Sequence, residues 1–572
     1  MCNEEGMHIH TIPNRNSPPA ILLRESFREN GKTKKKTIAN ISSWPADKIE
    51  ALARLLRGEK LVGVHDLFDT VSSFQHGNVE AVLKTVRALD LARVISKPCR
   101  ERDIVVAMIA AQVLDPQSKL AFTRWWKMTT LPQELELGEV DEDELYAAMD
   151  WLVERQNKIE KKLAARHLTE GGLVLYDLTS SYFEGSKCPL AKLGHNRDGK
   201  KGKLQVNYGL LADGRGCPVA VSVFEGNTAD PKTLTTEVWS LKERFHLASF
   251  VVVGDRGMIG QKQIDTLLRP EGVDWITALK TGAIRDLIRD GSVQLGLFDE
   301  RNLFELEHPD YPGERLVACR NPELAKLRAH KRESLIAATK KDLEKVRGMA
   351  GRGKLKGTAA IGVRVGKVVN KYKVAKHFAI DIRDEGFDFR VDEESVGAEA
   401  ALDGIYIVRT SLPPKRMSAD DTVRNYKALA EVEQAFRSLK TIDLHVRPIR
   451  HRLEDRVRAH IFLCMLAYYV EWHMQEALRP LLFSDEDQAA KKTRDPVAPA
   501  KRSKGAIAKI KTKRTADGLE VHSLQTLLRN LAGIVKNVCR RKGDADAATT
   551  ALFTTPTPTQ ARALALLDAI RP

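Results

Sequence analysis

The chain has 572 residues, too many for one hydrophobic core and enough for roughly four domains at about 150 residues each. Hydrophobic residues make up 43% and charged ones 29%, a balance that excludes an intrinsically disordered chain. Lys and Arg number 92 against 76 Asp and Glu, a formal net charge of +16, so a polyanionic partner is expected, nucleic acid ahead of an anionic membrane. After a disordered-looking start, residues 21–44 read as two alternating runs around Glu29-Asn30-Gly31-Lys32, a hairpin turn signal. The second arm carries Lys32, Lys34, Lys35 and Lys36, either a basic ribbon for a DNA groove or a solvated edge. Residues 45–168 are predicted helical, with apolar residues at three- and four-residue spacing over 46–56, 78–91, 102–113 and 142–167.

The pattern changes near 169. Apolar runs at 173–176, 204–211 and 218–224 predict three strands, followed by a helix over 233–245 and a strand over 250–253. A helix over 261–268 and a strand over 275–279 complete an α/β order with one mixed sheet. Residues 281–420 interrupt it with a basic amphipathic helix (323–347), a Gly/Lys-rich link (348–357) and strand-like runs near 378–382, 387–391 and 404–410. On that helix, Leu324, Leu327, Leu335, Ala338 and Val346 are the expected core face. Helices follow over 421–440 and 453–478. In 491–514 ten Lys or Arg stand against one acid, Asp495, which reads as a flexible cationic linker before an amphipathic helix near 524–538. The expected architecture is a multi-domain α/β protein. Its segments are an N-terminal arm and basic hairpin (1–44), a helical region (45–168), a mixed-sheet core in two parts (169–280 and 421–485), an insertion (281–420) and a basic linker with a helical tail (486–572).

Other classes fall away. The longest apolar runs, 104–114 and 461–470, are shorter than the roughly 18 residues of a membrane span. The opening MCNEEGMHIH has no signal-peptide core. Seven cysteines without a CxxC pair support neither a disulfide framework nor a zinc ribbon, and read as reduced thiols of a cytoplasmic protein. GMAGRGKL at 348–355 has phosphate-loop spacing, but Leu355 fills the Ser/Thr slot and a helix precedes it.

Chemistry concentrates at three carboxylates. Asp177 and Asp255 each close a buried strand, and ligand sites of open α/β sheets lie beyond strand ends. Each acid alone also reads as a turn cap; two on one sheet favour a shared site. In DTVRNYKALAEVEQAFRSLK, sevenfold spacing puts Tyr426, Glu433 and Lys440 on one helix face, with Leu429, Ala430, Val432 and Phe436 towards the core. Glu433 is then the third hard-oxygen ligand of a divalent-metal site of the kind Mg²⁺ occupies. His195, Arg197, Lys200 and Lys201 precede the second strand, as an exposed polar turn or a DNA-backbone contact.

The segments YDLTSSYFEG, LGHNRDGKKGKLQVNYGLL, VSVFEGNTADPKT and VVVGDRGMIG, with the helix ending at Lys440, resemble DDE transposases of the insertion-sequence-four superfamily over about residues 170–470. That group's helix motif is Tyr, two residues, Arg, three residues, Glu, six residues, Lys. Tyr426, Glu433 and Lys440 match it, while Leu429 stands at the Arg position and leaves Arg437 or Arg424 to take over that contact. The gaps of 78 and 178 residues between Asp177, Asp255 and Glu433 suit a core interrupted before the glutamate helix. The resemblance implies an RNase H-like core split by an insertion domain, preceded by a helical DNA-binding region. It implies cut-and-paste transposition, in which a freed 3′-OH attacks the opposite strand as a hairpin before excision and insertion. Two Mg²⁺ ions, replaceable by Mn²⁺, are expected on Asp177, Asp255 and Glu433. Tyr426, Lys440, Arg437, Arg256 and the RPIRHR residues Arg447, Arg450 and Arg452 are the expected DNA contacts, joined by Lys34 and Lys35. The implied partners are double-stranded DNA with terminal inverted repeats, target DNA and a second copy of the chain in a homodimer. The implied setting is the bacterial nucleoid, with no membrane.

Overall fold

A computed structural model describes residues 6–15, 17–59, 68–298, 301–498, 501–542 and 548–571. Cys2 and positions 499–500 of the basic segment lie outside the described residues. The backbone forms two compact units, Met1–Phe74 with Lys536–Thr554 and Gln75–Val535 with Thr555–Pro572.

In the smaller unit, β1 (Gly6–Ile12), β2 (Ala20–Glu29) and β3 (Lys32–Asn40) make an antiparallel sheet. Asn30 and Gly31 have φ of 51° and 80°, the left-handed pair that a two-residue hairpin turn requires, and Glu29 pairs with Lys32 across it. The start of the chain, which reads as disordered, supplies β1 because each residue from Gly6 to Ile12 finds a partner on β2. Every residue of β3 is exposed, Lys34 and Lys35 included, and Lys34 Nζ lies 2.5 Å from Glu29. Helix α1 (Ala46–Leu56) follows, and β4 (Phe68–Gln75) joins the strands Val535–Arg541 and Thr550–Phe553 in a second sheet. The helix expected over 524–538 therefore ends early. From Lys536 to Cys539 the chain instead pairs as a strand with Phe553 to Thr550 in the smaller unit.

The larger unit opens with α2 (Gly77–Ala88), α3 (Arg100–Leu114), α4 (Glu142–Val153) and α5 (Gln156–His167). Asp141 and Glu144 form a reciprocal capping box at the start of α4. The single helix expected over 142–167 breaks after Val153. There Arg155 turns back to donate to Trp151 O (2.9 Å) with its guanidinium 4.1 Å over the Trp151 ring. Next come β5 (Leu173–Tyr182), β6 (Gln205–Asp213), β7 (Pro218–Glu225), α6 (Asp230–Trp239), β8 (Val251–Val253) and β9 (Asp274–Ala278).

The inserted stretch holds β10 (Leu303–Leu306), β11 (Arg315–Arg320), α7 (Pro322–Gly351), α8 (Thr358–Tyr372), β12 (Phe378–Arg383), β13 (Gly386–Val391) and β14 (Ile405–Thr410). Asn321 caps α7 by accepting from Leu324 N, with Pro322 in the first turn. Three inserted strands lengthen the core sheet, because β14 pairs antiparallel with β9. The sheet then runs β10-β11-β14-β9-β8-β5-β6-β7, with β5, β8 and β9 parallel. The rest of the insertion has its own core of Leu343, Val346, Ile361, Val365, Phe378 and Phe387. Helix α8 contributes Ile361, Val365 and Val369 to this core, at the four-residue spacing of one helix face. Leu327, expected in the core, is 67% exposed.

Helices α9 (Ala419–Lys427), α10 (Leu429–Arg437) and α11 (Glu454–Leu478) complete the centre. Residues 461–471 of α11 are all buried, since the helix is enclosed by α2, α3, α4 and β7. Both long apolar runs of the sequence are thus core helices, and no described helix is long and apolar enough to cross a membrane. The basic segment is folded where a flexible linker was expected. Ser503 caps α12 (Lys504–Thr512), Val497 is buried, and Lys509 Nζ binds Glu486 (2.8 Å). Local anchoring of this kind outweighs composition. Beyond it, α13 (Leu524–Leu531) packs on α2, and α14 (Pro558–Leu567) on α2 and α11.

Candidate active site

Parallel pairing of β5 with β8 sets Leu175 opposite Val253. Two residues further along each chain stand Asp177 and Asp255, so the register itself delivers both acids to the same level of the sheet. Asp177 is half-buried and accepts a hydrogen bond from Leu178 N (2.8 Å). Asp255 is exposed just past β8, with Oδ1 accepting from Gly257 N (2.9 Å) and Met258 N (2.8 Å). Gly257 keeps that turn open, because a Cβ there would sit 3.3 Å from Asp255 Oδ1.

Glu433 projects from the exposed side of α10, while Leu429, Val432, Ala435 and Phe436 bury the other side. Helix α10 packs on β5, and Phe436 meets Tyr208 edge-on at 5.9 Å. Ala430, expected inside, is exposed, since the helix breaks at Ala428 and restarts with a shifted phase. The charges of Asp255 and Glu433 both reach Asp177. Burial drives the Asp177 carboxyl up to about 7; the Leu178 N–H and Arg197 oppose the rise, and the charges of Asp255 and Glu433 add to it. Tyr426 shares this environment, its phenol raised by burial and by Asp255 and Glu433, with Arg256 opposing.

Arg197 is held there by Asp230, whose two carboxylate oxygens each lie 2.6 Å from Nη2. His195, Lys200 and Lys201 are exposed in the same loop, with Lys200 Nζ 5.8 Å over the Tyr182 ring. The basic segment after α10 runs beside the end of β5, where Ile449 N donates to Tyr182 O (3.2 Å) and Glu184 N to Ile449 O (2.9 Å). Arg450 and Arg452 line a groove with Phe183, Glu184 and Lys187, and Arg450 lies 3.6 Å from Glu184.

Lys440 departs from the expected stripe. A π-turn over Ser438–Ile442 widens the helix after Arg437, so the seven-residue spacing no longer holds the face. Arg437 is exposed, whereas Lys440 is buried with Nζ 3.0 Å from Asp198 Oδ1. Arg447 reaches the same oxygen at 2.5 Å, and Tyr182 N donates to the other at 2.9 Å. Asp198 is the hub that sequence reasoning missed; its one signal is an acid set among the bases of HNRDGKK. Arg424, a possible stand-in at the motif's Arg position, is turned to Asp421 (2.8 Å) and Arg494 O (2.9 Å).

Three carboxylates with oxygen donors only suit a hard divalent ion, and the raised Asp177 carboxyl is the state that such an ion would relieve. Residues 170–470, more than half of the sequence, match the family described as Transposase DDE domain, and the chain belongs to that family. It is a bacterial insertion-sequence DNA transposase, an enzyme that cuts and joins DNA by phosphoryl transfer, and domains of this family depend on divalent metal ions. Residues 9–63 also match the IS1634 family transposase N-terminal domain. Among solved structures, a piggyBac transposase synaptic complex with hairpin DNA aligns at 10% identity and a TM-score of 0.34, over 79% of this chain and 84% of that one. No curated protein matches the chain.

Proposed function

We propose that Asp177, Asp255 and Glu433 form the catalytic centre with which this transposase cleaves the terminal inverted repeats of its element and transfers the freed 3′-OH ends to target DNA. The observation that carries this is the register that aligns the two aspartates, together with the influence of the Asp255 and Glu433 charges on Asp177. The order β7-β6-β5-β8-β9, with β6 antiparallel beside three parallel strands, supports an RNase H-like reading of the core. The spacing of Tyr426, Glu433 and Lys440 supports the insertion-sequence-four superfamily, alongside an N-terminus similar to the IS1634 family.

Asp177, Asp255 and Glu433 would hold two Mg²⁺ ions, which when bound activate the attacking oxygen and neutralise charge on the leaving oxygen. Arg197, anchored by Asp230, keeps positive charge beside Asp177 and is placed to meet a DNA phosphate. Tyr426 and Arg256 flank the same carboxylates, and Arg437, one turn past Glu433, takes the place of the motif's Arg. His195, Lys200, Lys201, Arg450 and Arg452 form exposed cationic edges for the DNA backbone, and Lys34 and Lys35 a second such edge on β3. Two element ends must be joined to one target, which calls for a homodimer.

The test is a reaction of the full chain with Mg²⁺, a duplex carrying an element end and a supercoiled target. Joined end–target products are expected. Cleavage without any joined product would make the protein a nuclease and overturn the reading.

Salt dependence separates the surface charges. Changing the exposed Lys501, Arg502, Lys504 and Lys511 to Gln is expected to reduce the slope of log affinity against log salt by ~0.9 for each phosphate that is no longer neutralised. Melting temperature should not change, and an unaltered slope would make the segment a bystander in DNA binding.

A further inference from the structure

Away from the carboxylates, three softer donors converge. His167 ends α5, Cys217 lies in the turn between β6 and β7, and His473 is on α11, with ligand atoms all within 4.8 Å of one another. Cys217 Sγ is 3.9 Å from His473 Nε2. Tetrahedral zinc-type bonds of about 2.3 Å to sulfur and 2.0–2.1 Å to nitrogen place a sulfur and a nitrogen roughly 3.5–3.6 Å apart, so the Cys217–His473 pair needs only a few tenths of an ångström, and the widest pair on the order of 1 Å, to close on an ion.

The surroundings are built for this. Asp213 Oδ1 accepts from Arg215 N (2.8 Å) and Cys217 N (3.0 Å), and Gly216 takes φ of 85°, which fixes the turn that carries the thiol. His167 Nε2 pairs with the Tyr469 hydroxyl at 2.9 Å and Nδ1 with Arg215 Nη2 at 3.2 Å. The Arg215 side chain is 63% exposed and also pairs with Asp213 Oδ2 (2.9 Å), so it can leave Nδ1 while keeping that partner, whereas Tyr469 is buried. Nδ1 is therefore the ligating atom, and Tyr469 orients the ring from behind as an outer-shell partner does. Asp213 and Glu476 offset the cations Arg166 and Arg215 around the cluster.

We propose that His167, Cys217 and His473 bind a borderline-soft divalent ion of the zinc class, with a fourth position open on the Arg215 side. Binding replaces the Cys217 S–H bond by a metal–thiolate bond and releases the proton to solvent. The ion would clamp α5, the β6–β7 turn and α11, elements up to 306 positions apart in the chain. The donor set shares no residue with the carboxylates, and its sulfur and nitrogen disfavour Mg²⁺.

Cobalt(II) tests this in the metal-stripped, full-length protein. One equivalent should produce a thiolate-to-cobalt charge-transfer band that Zn²⁺ abolishes and Mg²⁺ does not, and Zn²⁺ should raise the melting temperature. Asp177→Asn should keep the band and Cys217→Ser should lose it. Where Cys217→Ser does not fold, His167→Gln should weaken cobalt binding at least tenfold. The absence of a band in the native sequence, or a band of equal strength in Cys217→Ser or equal affinity in His167→Gln, would overturn the assignment.

Discussion

Asp177→Asn is expected to lower DNA cleavage by about a thousandfold or more, yet to raise the melting temperature of the metal-free protein at pH 8. The two effects have one cause. Asp177 supplies charge to the reaction, and losing ~4 kcal/mol of transition-state stabilisation costs about three powers of ten. In the absence of a divalent ion the same charge is buried beside Asp255 and Glu433, which holds the carboxyl at about 7 against an ordinary value of 3.8. A carboxyl raised in the folded state stabilises the fold fully below pH 3.8, and that contribution is lost as pH rises through about 7. The amide carries no charge to desolvate, so the variant gains on the native protein by on the order of a few kcal/mol above pH 7 and by little at pH 4. Mg²⁺ should stabilise the native chain more at pH 8 than at pH 6, and Asp177→Asn hardly at all. Asp255→Asn is the contrast: its side chain is exposed, so activity should fall without the gain in stability. Thermal melts in chelator at pH 4 and pH 8, beside a cleavage assay, decide the matter. A variant melting lower at both pH values would remove the electrostatic argument for the site.

The carboxylates were legible in part: Asp255 stands just past its strand as expected, whereas β5 runs on to Tyr182 by pairing with β6, so Asp177 lies in mid-strand and not at a strand end. A run such as VVVGD states its own strand and its end, and register does the rest: once Leu175 pairs with Val253, the two aspartates fall level. Helix α10 was legible through its apolar positions, of which Leu429, Val432 and Phe436 are buried, and Glu433 kept the exposed side with them. The reading failed wherever geometry departs from regular periods. One widened turn after Arg437 was enough to move Lys440 from the stripe it was expected to share with Tyr426 and Glu433 to Asp198. Composition misled in a different way. The stretch 491–514 has the residues of a linker, but Arg424 binds Arg494 O, Lys427 binds Pro496 O at 2.5 Å, and Asn321 binds Val497 O at 3.0 Å. These bonds come from residues 69 to 176 positions away, and no sequence window contains them. The extension of the core sheet by β10, β11 and β14 is likewise a long-range outcome. Strand runs at 303–306 and 315–320 are short and flanked by acids, and only pairing with β14 makes them part of one sheet.

Asp198→Ala is expected to destabilise the larger unit by about 3–5 kcal/mol, the loss typical when one member of a buried charge cluster is removed. Its side chain is 2% exposed and is the acceptor for Lys440, Arg447 and Tyr182 N together. Burial already pushes the Lys440 ammonium below its ordinary pKa, and Asp198 is the chief influence holding it up. Without the carboxylate, Lys440 must either give up its proton or carry an uncompensated charge, and Arg447 cannot give one up at all. Adding Lys440→Met to Asp198→Ala should restore part of the loss, since an apolar side chain costs less there than an unpaired ammonium. A double variant no more stable than Asp198→Ala alone would mean that the cluster is not held by charge pairing. Lys440→Met by itself then separates two roles for this lysine. A lysine that contacts a terminal phosphate reduces the salt slope of DNA binding by ~0.9 when removed. A lysine that only anchors the loop carrying Arg197 leaves the slope intact and lowers the rate of joining, because the loop beside Asp177 loses one of its anchors while Asp230 still holds the guanidinium. The 3.0 Å pairing with Asp198 favours the second outcome, with Lys440 acting on DNA through the loop.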